Sequence, residues 1–60
     1  MTNTYTIYAQ WPDGSIEEVD VQAFNASDAE ANGEEVLTED YKPGWQIIRI
    51  EERADGYFYF

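Results

Sequence analysis

The sequence contains no cysteine and no histidine, and its only bases are Lys42, Arg49 and Arg53. Without cysteine there is neither a disulfide framework nor a thiolate metal site. Without histidine the usual general base and the commonest zinc ligand are both missing. Three bases can neutralise few phosphates, and most nucleic-acid affinity arises there, so direct binding of DNA or RNA is not expected. Long apolar runs are absent too. The longest strictly apolar stretch, Tyr57-Phe58-Tyr59-Phe60, is far short of the ~20 residues of a membrane helix. Nothing reads as a secretory signal, and the expected location is the cytoplasm.

What is present is acid and aromatic. Thirteen Asp and Glu give a net charge of −10 on 60 residues. Such a field repels phosphates and anionic lipid, and it speeds encounter with basic proteins, more so at low salt. High charge with a mean hydropathy of −0.61 leans towards disorder. However, 43% of the residues are hydrophobic and 17% aromatic, and they are patterned rather than scattered, which favours a folded chain. The length fits a single domain, residues 1–60, near the lower limit for a core without covalent staples.

The pattern predicts an α+β domain of order ββαββ, an antiparallel sheet with one helix packed on one face. Thr4 to Trp11 alternates, with Tyr5, Ile7, Ala9 and Trp11 on one side and Tyr8 on the other, as in a half-buried strand. Pro12-Asp13-Gly14-Ser15 reverses the chain. Ile16 to Phe24 alternates again, with Val19, Val21 and Ala23 inward; Ile16 has the opposite parity, which a bulge after the turn would reconcile. Ser27 and Glu30 form a capping-box pattern, so a helix is expected from Asp28 to Asp40 or Tyr41, ended by Pro43-Gly44. Trp45 to Arg53 reads as a third strand, in which parity sets Trp45 and Ile47 against Ile48 and Ile50. Ala54 to Tyr57 reads as a hairpin turn and Tyr57 to Phe60 as a fourth strand.

Catalysis is not expected. A carboxylate pair of the glycosidase kind needs a pocket, and a chain of this size has little interior from which to build one. Asp13-Gly14-Ser15-Ile16-Glu17 and the Glu51-Glu52…Asp55 cluster offer oxygen ligands, but neither has the spacing of an EF-hand loop. Turn residues that happen to be acidic explain both, and no metal or cofactor is expected.

The helix is the more informative feature. At 100° per residue Ala29, Gly33, Val36 and Leu37 share an arc that faces the sheet. Asp28, Glu35 and Glu39 form one flanking ridge and Glu30 with Glu34 the other, with Ser27, Ala31 and Thr38 between. The helix is weak in isolation: Gly33 costs about 1 kcal/mol relative to Ala, and Glu30/Glu34 and Glu35/Glu39 are like-charge pairs at i,i+4. Solubility and salt adaptation both explain an acidic surface. Solubility alone would be served at less cost by intermixed signs, so the unbroken ridges point to a charged partner.

The leading expectation is a protein-binding inhibitor or modulator that presents carboxylates to a basic, nucleic-acid-binding protein surface, as a DNA mimic. Asp28, Glu30, Glu34, Glu35 and Glu39 are the principal candidates, with Glu18, Asp20, Glu51 and Glu52 secondary. Size and charge alone suggest the analogy with virus-encoded inhibitors, in which case the compartment is the host cytoplasm. The alternative is a structural or accessory subunit docking through an aromatic sheet face made of Tyr8, Trp45, Tyr57 and Tyr59. There the acidity would serve solubility or salt adaptation, and a second copy of the chain is one candidate occupant.

Overall fold

Two hydrophobic patterns of period two, followed by one of period 3.6, set the architecture. The computed structural model describes residues 2–53. It contains β1 (Asn3–Gln10), β2 (Ile16–Ala23), α1 (Ala26–Asp40) and β3 (Gln46–Arg53), with the sheet in the order β2-β1-β3. Both outer strands are antiparallel to β1. They therefore run parallel to each other, and the chain passes from one edge to the other through α1. The antiparallel sheet with one helix is as expected. The turn and fourth strand expected at 54–60 lie outside the described residues.

The core lies between α1 and one sheet face. Tyr5, Ile7, Ala9 and Trp11 from the first segment, Val19, Val21 and Ala23 from β2, and Ala29 and Leu37 from α1 are all buried. Val36, Tyr41, Trp45, Ile47 and Ile50 pack around them. The helix arc predicted from spacing is the arc that is covered. Gly33 explains its own presence: a Cβ there would stand 2.8 Å from Ile7 Cγ1. The helix rests almost directly on the central strand, and only the smallest residue allows that separation.

Three local expectations are corrected. First, β1 and β2 pair without a register shift from Asn3↔Ala23 to Gln10↔Ile16, so no bulge returns Ile16 to the core and it stays 51% exposed. The extra residue needed at the hairpin is taken up inside the loop. There Gly14 has φ +94°, its N–H donates to Trp11 O, and Trp11 N–H donates to Ser15 O. Second, the irregularity lies in β3, where Tyr8 faces Arg49 and Ala9 faces Ile47. Ile48 is the inserted residue, 49% exposed, and the insertion puts Ile47 and Ile50 on the same, helix-covered side rather than on opposite ones. Third, α1 begins two residues before Asp28. Its N-cap is Asn25, whose Oδ1 accepts from Asp28 N–H at 2.8 Å, while Asp28 Oδ2 accepts from Phe24 N–H at 3.2 Å. The cap is thus made by Asn25, with Asp28 reaching back one residue beyond it, instead of by Ser27 and Glu30.

Gly33→Ala tests the packing. Helix propensity alone predicts stabilisation by about 1 kcal/mol. Overpacking against Ile7 predicts a net loss of about 1–3 kcal/mol in urea unfolding, and a gain would show that α1 can lift from the sheet at no cost.

Candidate functional surface

The candidate residues fall on two differently built surfaces. The sheet face away from α1 carries Thr4, Thr6, Tyr8 and Gln10 of β1 between Glu18, Asp20 and Gln22 of β2 and Arg49, Glu51 and Arg53 of β3. Cross-strand pairing makes it a polar lattice. Thr6 is only 1% exposed although it lies on the helix-free side. Its hydroxyl donates to Asp20 Oδ1 at 2.8 Å and accepts from Arg53 Nη1 at 3.3 Å. Tyr8 OH donates to Glu51 Oε1 at 3.0 Å, and Arg49 reaches the other oxygen of that carboxylate at 3.2 Å. The Arg49 guanidinium also lies 5.7 Å above the Tyr8 ring. Near the sheet end Gln22 Nε2 donates to Thr4 Oγ1 on this face, and on the other side Asn3 Nδ2 donates to Glu52 Oε2.

Asp20, Glu51 and Glu52, three of the four secondary acids, are thus already engaged within the fold, whereas Glu18 is exposed and forms no hydrogen bond or ion pair among the described residues. Tyr8 lies on this face, but Trp45 does not: it precedes β3 and packs against the core side. Tyr57 and Tyr59 lie outside the described residues. The four aromatics of the alternative are therefore not brought together by the described part of the fold.

The second surface is the outside of α1. Glu30, Glu34, Glu35, Glu39 and Asp40 are exposed there, with exposed Ser27, Ala31 and Thr38 between the ridges. Asp28 is half-buried and its carboxylate serves the cap. The last turn carries no base. The ion pairs among the described residues are Arg49–Glu51 and Arg53–Asp20, both on the sheet face. Charge is therefore segregated: both arginines face one way and the unrelieved carboxylates of the helix face the other.

Of the loop acids, Asp55 lies outside the described residues. Among the described residues no group of three or more Asp, Glu, His or Cys is arranged to hold an ion. Asp13 instead accepts from the Ser15 N–H at 2.9 Å and from its hydroxyl at 2.7 Å. These bonds, the backbone one foremost and with Lys42 adding its charge, hold the Asp13 carboxyl below the usual range. Also among the described residues, no helix is long and apolar enough to cross a membrane.

Compared with family models, curated proteins and solved structures, the chain matches none.

The Tyr8 hydrogen bond has a measurable consequence. Donation to the Glu51 carboxylate raises the phenol above its ordinary value; desolvation and the charges of Glu51 and Glu18 act the same way, and Arg49 opposes them. A raised folded-state value means that this contribution to stability is complete below the unfolded pKa of about 10 and is lost as pH climbs through the folded one. A phenolate absorbance titration should show one tyrosine ionising late, returning towards the ordinary range in Glu51→Leu. Titration of Tyr8 at the ordinary value in the wild type would refute the bond.

Proposed function

We propose that this protein is a non-enzymatic inhibitor or modulator that binds a basic, nucleic-acid-binding protein through the outer surface of α1, where carboxylates stand in for phosphates. The observation that carries this reading is the segregation of charge. Five exposed acids occupy the helix surface with no cation in its last turn, while both arginines are committed to the opposite face. A surface adapted only for solubility gains nothing from such separation, because interspersed signs cost less. The fifteen residues of α1 span about 22 Å at the helical rise of about 1.5 Å per residue. The five exposed carboxylates over that length give about one per 4.5 Å, of the same order as the ~3.4 Å phosphate spacing of a single DNA strand. A virus-encoded origin and action in the host cytoplasm belong to the same reading and rest on size and charge.

The alternative, docking through an aromatic sheet face, has less to rest on. Tyr8 is held by Arg49 and Glu51, and Trp45 is on the other side of the sheet. The fourth strand is also part of what we propose. β3 is an edge strand, so a hairpin through 54–57 would find its outer side free among the described strands.

Glu30→Lys with Glu34→Lys reverses one ridge without touching the core. Binding to the basic partner should fall about tenfold or more per reversed charge, since like-charge juxtaposition across an interface costs several kcal/mol. The fold, followed by circular dichroism, should be retained because both side chains are exposed. A double variant that binds as tightly as wild type would refute the helix as the contact surface.

A further inference from the structure

Beyond the ridges, the end of α1 offers a second kind of recognition. Thr38, Tyr41, Pro43, Gly44 and Trp45 line an open groove of about 540 Å³. Thr38 continues the Glu30–Glu34 row at the same four-residue step, so that ridge leads directly into the groove. Tyr41 and Trp45 are half-buried, fixed by packing against the core, with Tyr41 5.9 Å from the Trp11 ring. Trp11 is itself pinned by donating from Nε1 to Lys42 O at 3.0 Å. The Tyr41 hydroxyl and Trp45 indole N–H have no hydrogen-bond partner among the described residues, and no unpartnered polar side-chain atom there is buried, so both tips reach solvent.

The electrostatics of this groove favour a cation. It lies at the carbonyl end of α1, the negative end of the helix dipole, where Glu39 and Asp40 add charge and no base compensates within the last turn. Among the described residues, the non-helical backbone N–H groups meet one carbonyl of the last turn, Leu37 O, which accepts from Tyr41. A neighbouring hollow that shares Tyr41 is lined by Glu17 and Asp40 together with Lys42, so acids outnumber the one base there. Two rigid aromatic rings at the acidic, carbonyl end of a helix match a planar guanidinium, which stacks and donates at once. An ammonium is more strongly hydrated and gains less from a ring face.

We infer that the groove of Tyr41, Pro43 and Trp45 receives an arginine side chain of the basic partner, whose neighbouring bases run along the Glu30–Glu34 ridge. This inference rests on the proposed function and adds an anchor to it: the ridge supplies long-range attraction and the groove supplies preference for arginine over lysine.

The test uses hexa-arginine and hexa-lysine peptides, equal in charge, titrated into the full chain at fixed low salt. Wild type should bind hexa-arginine about fivefold or more tighter, and Trp45→Leu should remove that preference while retaining binding of hexa-lysine. Amide and indole NMR shifts on the wild type give a reading independent of whether the variant folds. With hexa-arginine, Thr38, Gly44 and the Trp45 indole should move together with Glu30 and Glu34. Equal affinities, or shifts confined to the ridge, would overturn the groove while leaving the ridge as contact surface. Binding of neither peptide would overturn both readings.

Discussion

The contact between Gly33 and Ile7 is the constraint on which the rest of the structure depends. A helix of this composition does not hold itself together: it has like charges at i,i+4, acids at its carbonyl end and a glycine in its middle. It persists because Ala29, Gly33 and Leu37 are withdrawn from water against the sheet. The glycine that weakens it locally is what lets it approach β1 closely enough to do so. Beneath it, Ile7 is fully buried in the middle strand, so this close approach fixes how near the helix sits to the sheet.

With the narrow arc of small and aliphatic residues committed inward, every acid of α1 except Asp28 is directed to solvent. The sheet's open side follows the other rule. Arg53 and Asp20 meet across strands over buried Thr6, Arg49 and Glu51 meet along β3 over Tyr8, and the lattice absorbs both arginines. Exposed pairs of this sort contribute little stability each. Their larger effect is on the map of charge: no arginine remains to relieve the helix. The surface that most resembles a polyanion is consequently the one the fold leaves unpaired.

Much of this was legible in the residues. Alternation gave the inward set of β1 and β2, and the 3.6-residue spacing gave the buried arc of α1. The misread details share a cause: the sequence carries two acceptable local solutions and tertiary contact selects one. Both Asn25-Ala26-Ser27-Asp28 and Ser27-Asp28-Ala29-Glu30 are capping patterns, and the earlier one is used, with Asp28 reaching back to Phe24 N–H. Both Ile16 and Ile48 break the alternation, and the bulge falls at Ile48, which brings Ile47 and Ile50 together over Ala9 and Ile7. The cross-strand lattice around Thr6 had no linear signal, since it joins residues 14 and 47 positions apart. The groove is local in sequence, but its walls are set by Tyr41 and Trp45 packing on a core drawn from distant segments.

The central claim, that the acidic helix occupies a site made for nucleic acid, is tested most directly by competition. The tagged protein would be used to capture partners from host lysate at low salt, with and without excess duplex DNA. The account predicts capture of a nucleic-acid-binding protein that DNA displaces and that rising salt releases. A captured partner indifferent to both DNA and salt would contradict it.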